Sequence, residues 1–303
     1  MLLATAAMGT RFELTLAAGR SHDLRAAGEA ALEEITIWHR RLSRFAPDSL
    51  VSHLNREAHH RAVPLDAETF ALFDDALSVW RASNGAFDIA CAPLVTASGF
   101  APSATSAESG PEPRRTPSPD TRMRARPSPR SARSTSDAIE LDRTRWTMRF
   151  TKPGVSLDLG AIGKGHALDC AAAVLVAHGV TSALLHGGTS SVVTIGAPPG
   201  ADGWRVALAG NWDVGVLTLV NSAMAISHTD GQRSASGASH IVDPRVGGAR
   251  RPAASPVGAP RVVVTGPSAR LADAWATALA VMGQIPDTLP AGYQARFENG
   301  HAT

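Results

Sequence analysis

Residues 155–165 read Val155-Ser-Leu-Asp-Leu-Gly-Ala-Ile-Gly-Lys-Gly165, and they predict a strand that leads through a glycine-rich loop into a helix. Glycines let backbone N–H groups approach a ligand closely, and the N-terminus of a helix carries partial positive charge. This geometry suits a phosphate, with Lys164 as an additional point charge. The pattern departs from a Walker loop, because position 158 is Asp and position 165 is Gly. Glycines that merely permit close packing of the helix on the strand are an equal alternative.

The segments on either side of this loop predict a mixture of helices and strands. Helical spacing of apolar residues is found over 22–41, from Asp66 to Asn84-Gly85, over 164–178, and from Ser268 to Met282-Gly283. Strand-like runs cover 8–17, 139–150, 155–159, 181–186, 203–209, 214–220 and 261–266. Short, hairpin-like strands around 203–226 argue against a purely parallel sheet. The predicted class is α+β, with largely antiparallel or mixed sheets flanked by helices.

Composition and charge exclude several classes of protein. The chain has 303 residues with 29 basic and 27 acidic side chains, and its net charge of +2 argues against a nucleic-acid-binding protein. No apolar run reaches the length of about 18 residues that a transmembrane helix requires. The start lacks the basic region of a signal peptide, so we expect a cytoplasmic protein. Cys91 and Cys170 lie in apolar stretches and are expected to be free thiols.

Residues 99–137 interrupt the folded pattern. They hold seven Arg and four acidic residues among many prolines and serines, and such a segment cannot bury enough apolar surface to order itself. We therefore expect an N-terminal part (1–98) and a C-terminal part (138–303) of one domain, separated by a disordered insertion (99–137). An Arg-rich insertion of this kind is more often a solvated linker than a specific nucleic-acid binder.

The helix that begins at Ser268 carries a candidate metal site. Asp273 and Thr277 are four residues apart and lie on one side of this helix, opposite its apolar stripe. Their companions on that side are alanines rather than the Lys and Glu of a solvated face. A carboxylate and a hydroxyl in such surroundings suit Mg²⁺, which prefers oxygen ligands. A solvated Asp, or one that interacts with the helix dipole, is the alternative that the spacing leaves open.

Two histidine segments are less specific. His186-Gly-Gly-Thr-Ser-Ser191 follows an apolar strand, and His240-Ile-Val-Asp-Pro-Arg245 places a His and an Asp three residues apart. Neither has metal-ligand spacing, so a core or loop-capping histidine is the simpler interpretation of each.

Taken in order along the chain, these segments resemble the ApbE family, the FAD:protein FMN transferases. The resemblance rests on Met8-Gly-Thr10, Leu42-Ser-Arg-Phe-Ala-Pro-Asp-Ser49, Asn84-Gly-Ala-Phe-Asp88, Leu157-Asp-Leu-Gly-Ala-Ile-Gly-Lys-Gly165, His240-Ile-Val-Asp-Pro-Arg245 and Leu271-Ala-Asp-Ala-Trp-Ala-Thr277. It covers nearly the whole chain apart from the insertion and the C-terminal end.

The resemblance implies a Mg²⁺-dependent transferase that moves FMN from its substrate FAD to a Thr or Ser hydroxyl of an acceptor protein and releases AMP. It implies Mg²⁺ ligands at Asp273, Thr277 and the carbonyl of Ala161, and catalytic roles for His240 and Lys164. The residues implied for FAD contacts are Met8, Phe45, Ala86, Phe87, Asp88, Asp158 and Lys164. A Mg²⁺-dependent FAD pyrophosphatase and a non-catalytic FAD-binding or carrier protein are the alternatives. Relatives often act in the periplasm or at a membrane anchor.

Two segments depart from the family pattern. Many relatives carry Gly-Gly-Asp where this chain has Gly187-Gly-Thr-Ser190, and Thr-Ser-Gly is common where this chain has Ile226-Ser-His228. The first change removes a carboxylate, and the second replaces a hydroxyl and a flexible glycine by bulkier side chains. We expect both changes to affect turnover more than the fold.

Overall fold

The computed structural model of the chain describes residues 1–19, 24–97, 136–228, 241–245 and 261–298. The helices of these ranges are α1 (Leu24–Leu42), α2 (Leu50–Glu57), α3 (Ala67–Ala82), α4 (Ala92–Ala97), α5 (Gly163–Ala177) and α6 (Ala269–Met282). The strands are β1 (Leu2–Ala7), β2 (Thr10–Gly19), β3 (Val63–Pro64), β4 (Ile139–Asp142), β5 (Thr147–Phe150), β6 (Val180–Gly187), β7 (Ser191–Ile195), β8 (Trp204–Ala207), β9 (Val216–Leu219), β10 (Ala223–His228), β11 (Arg261–Gly266) and β12 (Gln294–Phe297).

A seven-stranded sheet forms the centre of the fold, in the order β1-β2-β6-β7-β10-β11-β12. Each pair of neighbouring strands in this sheet is antiparallel. Two smaller antiparallel sheets, β3-β5-β4 and β8-β9, lie beside it. The predicted α+β class with largely antiparallel sheets is therefore confirmed.

The two faces of the large sheet have different partners because alternate side chains of a strand point to opposite faces. Helices α1, α5 and α6 pack on one side of the sheet: α1 contacts β1 and β2, α5 contacts β6 and β7, and α6 contacts β10 and β11. On the other face, Val192, Met224 and Val263 pack with residues of and around the β8-β9 hairpin in a smaller apolar cluster. The sheet thus separates a helical layer from a hairpin layer, and both matter for the candidate site.

Local sequence signals set the start of two predicted helices and the end of one. Asp66 caps α3 by accepting a hydrogen bond from the N–H of Thr69 at 2.9 Å. Ser268 caps α6 in the same way by accepting from the N–H of Leu271 at 3.3 Å. Helix α6 ends at Gly283 in a left-handed conformation, with φ of 72°. These boundaries are confirmed because a cap depends only on residues adjacent in sequence.

The predicted strand over 155–159 is wrong, since these residues belong to no strand in the structure. Backbone N–H groups of this segment form hydrogen bonds with other parts of the chain instead. The N–H of Leu157 donates to the side chain of Asn55 at 2.8 Å, and the N–H of Asp158 donates to the carbonyl of Ile89 at 2.7 Å. Apolar alternation in the sequence gave no information on these hydrogen-bond partners.

Most of the predicted insertion, residues 99–135, lies outside the described residues. The fold resumes at a single 3₁₀ turn, Ser136–Ala138, in which Ser136 is buried. The folded C-terminal part therefore begins at least two residues before the predicted boundary. Strand β2 from the N-terminal part pairs with β6 from the C-terminal part, so the two parts share one sheet. No described helix is long and apolar enough to cross a membrane.

Candidate active site

A cavity of about 880 Å³ lies where the strand ends of the large sheet meet the start of α5 and the middle of α6. A volume of this size is in the range of sites for small molecules and cofactors. Nine of the eleven site residues predicted from the sequence line it: Met8, Ala86, Phe87, Asp88, Asp158, Ala161, Lys164, Asp273 and Thr277. The tertiary structure thus brings into one place segments that are far apart in sequence.

Two predicted site residues are not part of this lining. His240 lies outside the described residues. Phe45 is described, but it is not among the residues that line the cavity, and its side chain is exposed. The guanidinium of Arg44 lies 4.4 Å from the centre of the Phe45 ring. An aromatic platform for the flavin at Phe45 stays a prediction.

The glycine-rich loop is held to its surroundings through Asp158. This carboxylate accepts the N–H of Gly160 at 2.9 Å, and its other oxygen lies 3.0 Å from Nε of Arg44. Helix α5 begins at Gly163, so Lys164 stands in its first turn beside the positive end of the helix dipole. Its Nζ is 3.7 Å from Oδ2 of Asp273. The loop therefore presents a cation and a helix N-terminus to the cavity.

The packing interpretation of the glycines also holds at one position. A Cβ added to Gly165 would lie 2.2 Å from the carbonyl oxygen of Ala269, which is backbone and cannot move aside. At Gly163 the nearest atom would be a terminal methyl of Leu42 at 3.4 Å, an ordinary contact. Gly165 is thus required for the approach of α5 to α6, while Gly163 is not.

Asp273 is buried, with 2% of its surface exposed, on the side of α6 that faces β7 and β10. Its carboxylate accepts the N–H of Gly165 at 3.1 Å and the hydroxyl of Ser191 at 3.5 Å. Burial raises the pKa of this carboxyl group, and the Lys164 ammonium only partly opposes the shift. The prediction that Asp273 lies on a tightly covered, alanine-rich side of the helix is confirmed, and the alternative of a solvated Asp273 is excluded.

Thr277 follows Asp273 one helical turn later, and both line the cavity together with Ala161. The hydroxyl of Thr277 lies 3.3 Å from that of Ser227 on β10. Asp273 and Thr277 offer a carboxylate and a hydroxyl to the cavity, and a hard divalent cation prefers oxygen ligands of this kind. A carboxylate whose pKa is raised by burial gains from a nearby cation, so the residues present fit a bound Mg²⁺.

Asp88 is a second buried carboxyl group of the cavity. Its Oδ1 accepts the N–H of Ala90 and the hydroxyl of Ser136, each at 2.6 Å. Burial raises its pKa to about 6, although these hydrogen bonds favour the ionised form. The bond to Ser136 joins the end of the insertion to the Asn84–Asp88 segment.

Sequence reasoning missed the roles of two serines at the cavity. Ser191 lies against the side chain of Asp273 and Ser227 against that of Thr277. Their sequence signal was position alone, since Ser191 directly follows the altered segment Gly187–Ser190 and Ser227 lies within the altered segment Ile226–His228. His186 lines the cavity, with Nδ1 at 2.9 Å from the Gly188 carbonyl and Nε2 at 3.2 Å from Glu13. These contacts match the loop-capping interpretation of this histidine.

A further cluster of potential metal ligands is formed by Glu68, His166 and Cys170, whose ligand atoms lie within 4.8 Å of one another. A guanidinium nitrogen of Arg270 is 3.3 Å from both Glu68 and His166. Burial, together with Arg270, lowers the pKa of His166 to about 3, and burial raises that of the Cys170 thiol. Since the Arg270 guanidinium already contacts Glu68 and His166 and the thiol stays protonated, we interpret the group as a hydrogen-bonded cluster.

Comparison with known proteins agrees with this arrangement. The ApbE family model matches residues 8–290. The FAD:protein FMN transferase of Rhodobacter capsulatus is 32% identical over 253 residues, which are 81% of this chain and 44% of that protein. The chain therefore spans less than half the length of this relative. The FAD:protein FMN transferase of Treponema pallidum (strain Nichols) is 31% identical over 293 residues, covering 89% and 76% of the two chains.

The fold is also that of a solved ApbE structure. The ApbE protein of Thermotoga maritima superimposes with a TM-score of 0.75 at 24% identity, covering 93% of this chain and 87% of that one. With the family model matched over nearly all of the sequence, this likeness leaves one conclusion: the chain belongs to the ApbE family.

Proposed function

We propose that the protein transfers FMN from FAD to a Thr or Ser hydroxyl of an acceptor protein and releases AMP. The observation that carries the proposal is the convergence of Lys164, Asp273 and Thr277 on one cavity with the 86–88 segment and Met8. The related proteins of Rhodobacter capsulatus and Treponema pallidum bear the name of this activity, which supports the proposal.

The chain's own residues would perform three tasks in this reaction. Lys164 and the N–H groups at the start of α5 would bind phosphate oxygens of FAD, because a helix N-terminus and an ammonium both favour negative charge. Met8, Ala86, Phe87, Asp88 and Asp158 would contact the rest of FAD along the cavity wall. His240 would lie beside the pyrophosphate or the acceptor hydroxyl, as the family resemblance implies.

Asp273, Thr277 and the carbonyl of Ala161 would hold Mg²⁺. The ion would neutralise the charge that develops on the phosphate oxygens as the pyrophosphate breaks. Ser191 and Ser227 would fix the orientation of the two side chains, since each lies against one of them. A supporting shell of this kind determines how well a metal site is formed.

Thr189 and His228, two of the residues at which the chain departs from the family pattern, both line the cavity. Thr189 occupies the turn between β6 and β7, and His228 ends β10. Neither replaces a residue proposed to bind FAD or Mg²⁺. The position of these two residues in the cavity supports an effect on turnover. The binding of FAD is assigned to other residues.

The experiment is mass spectrometry of the full chain after incubation with FAD and Mg²⁺, with and without an acceptor domain that carries a Thr or Ser flavinylation site. Wild type, Asp273→Ala and the control Asp202→Ala are compared. Asp202 is an exposed carboxylate that does not line the cavity. Covalent flavin on the acceptor and equimolar AMP, lost only in Asp273→Ala, would support the proposal.

Two other results would contradict it. Release of AMP and free FMN without covalent flavin on the acceptor would identify a FAD pyrophosphatase in which water replaces the acceptor hydroxyl. Tight binding of FAD that stays intact after prolonged incubation with Mg²⁺ would identify a carrier protein.

A further inference from the structure

Asp169 is a carboxylate of α5 that the proposed reaction does not use, yet it makes three hydrogen bonds to another helix. Its Oδ1 accepts the N–H of Ala269 at 2.8 Å. Its Oδ2 accepts the N–H of Arg270 at 3.0 Å and the hydroxyl of Ser268 at 2.7 Å. The three donors belong to the N-cap residue and the first turn of α6, so one side chain of α5 closes the start of α6.

This contact is one of two polar contacts between the same helices. Gly165 lies one turn before Asp169 on α5, and its N–H donates to Asp273 at 3.1 Å. Asp273 in turn lies one turn after Ala269 on α6. Both contacts join the same two helices, and they are one turn apart on each helix. The position of Asp273 relative to Gly165 therefore depends on where α6 begins relative to Asp169.

The size of a possible displacement of α6 shows why its position relative to α5 matters. A slip of α6 by one residue along its axis would move Asp273 by about 1.5 Å. Functional side chains must be held within about 0.5 Å of their working geometry. A contact that fixes the register of α5 and α6 thus acts directly on the relative positions of Lys164, Asp273 and Thr277.

Asp169 is not needed as a cap in the ordinary sense, because α6 has its own. Ser268 precedes the helix and accepts the N–H of Leu271. The cap bond of Ser268 stabilises α6 itself, and the Ser268 hydroxyl also donates to Asp169 on α5. The carboxylate of Asp169 comes from a different helix, which makes Ser268 a matched comparison for it.

We propose that Asp169 is a positioning residue of the cation site: its bonds to the first turn of α6 hold Asp273 and Thr277 in register with the loop that carries Ala161 and Lys164. This inference rests on the proposed function, which assigns the cation to these residues. Asp169 itself touches neither the cation nor FAD.

The test measures binding of Mn²⁺ to the full chain without FAD, by isothermal titration calorimetry, alongside the melting temperature. In Asp169→Asn one carboxylate oxygen becomes an NH₂ group that faces the N–H donors of α6. We expect Mn²⁺ to bind about 10-fold to 100-fold more weakly, as for other residues that support metal ligands.

In Ser268→Ala the two backbone N–H bonds to Asp169 remain. This control should keep Mn²⁺ affinity within threefold of wild type while melting about 2 to 4 °C lower.

Asp169→Glu serves as a second variant in case the amide variant does not fold. It keeps the charge and the capacity to accept hydrogen bonds, but its extra methylene displaces α6. We expect a stable fold with weakened Mn²⁺ binding, a combination that a purely stabilising role would not produce.

Three outcomes overturn the inference. Folded Asp169→Asn and Asp169→Glu variants that bind Mn²⁺ within threefold of wild type would do so and leave the proposed function intact. Losses of Mn²⁺ affinity in Asp169→Asn and Ser268→Ala that are proportional to their decreases in melting temperature would show that Asp169 only stabilises the fold. Failure of both Asp169 variants to fold would have the same meaning. Absence of Mn²⁺ binding in the wild type would instead remove the proposed cation site itself.

Discussion

The backbone N–H of Gly165 donates to the carboxylate of Asp273 at 3.1 Å, although the two residues are 108 positions apart. One belongs to the glycine-rich loop and the other to the candidate metal helix, so the two motifs of the sequence are halves of a single site. The bond requires the backbones of α5 and α6 to come unusually close. A side chain at position 165 would meet the carbonyl of Ala269 at 2.2 Å.

Gly165→Ala is expected to lower the free energy of unfolding by about 1 to 3 kcal/mol, because α5 and α6 must separate to admit the methyl group. Gly163→Ala, two residues earlier, is the matched control. Its Cβ would meet only a methyl of Leu42 at 3.4 Å, and stability should stay near that of wild type. Urea denaturation followed by circular dichroism measures both. Equal stability of the two variants would show that the helices are not tightly apposed at Gly165.

Mg²⁺ is expected to stabilise the wild-type protein but not Asp273→Ala. A ligand that binds only the folded state adds about 2.7 kcal/mol to the free energy of unfolding at a concentration 100 times its dissociation constant. Thermal denaturation with and without Mg²⁺ measures the effect, with Asp202→Ala as the control that keeps it. The same Mg²⁺-induced shift in Asp273→Ala would place the cation elsewhere.

Lys164→Arg is expected to lower the rate of AMP release at saturating FAD by at least about tenfold, because a planar guanidinium cannot replace a compact ammonium beside Asp273. The chain contains one other lysine, Lys152, which offers a matched control. Lys152 is exposed and pairs with Asp137 away from the cavity lining. Lys152→Arg should therefore release AMP at the wild-type rate. Full activity of Lys164→Arg would mean that any cation suffices at this position.

Asp88 is expected to make stability depend on pH in an unusual direction. Its pKa in the folded protein is about 6, raised by burial, against 3.8 for an unperturbed Asp. Between these values the folded state binds the proton more tightly than the unfolded state. The stabilisation is therefore complete below pH about 4, and up to about 3 kcal/mol is lost as the pH rises through 6.

Asp88→Asn should remove this dependence, since the amide oxygen still accepts the bonds from Ala90 and Ser136. We expect the variant to gain stability relative to wild type as the pH is raised from 4 to about 7.5. Melting temperatures measured across this range provide the check, with Asp202→Asn as a control that should follow the wild-type curve. A constant difference between Asp88→Asn and wild type at every pH would show that the pKa of Asp88 is not raised in the folded protein.

Predictions from the sequence were correct where the interactions involve residues close together in the chain, and wrong where they involve residues far apart. The start of α6 at Ser268 and its end at Gly283 were predictable, because a cap and a left-handed glycine act within a few residues. The strand over 155–159 was wrong, because its backbone bonds to the Asn55 side chain, about a hundred positions away. Ser136 was assigned to the insertion, because nothing near it in sequence indicates its bond to Asp88.

The sequence by itself determined the class of fold, the helix that carries Asp273 and Thr277, and, through family resemblance, nine of the residues that line the cavity. Only the tertiary structure decided that Asp273 is buried rather than solvated, that Gly165 is needed for helix packing, and that Asp169 joins α5 to α6. The physical reason is that periodicity and capping are local properties of the chain. Burial, pKa and helix register instead depend on backbone groups that folding brings together from positions about a hundred residues apart.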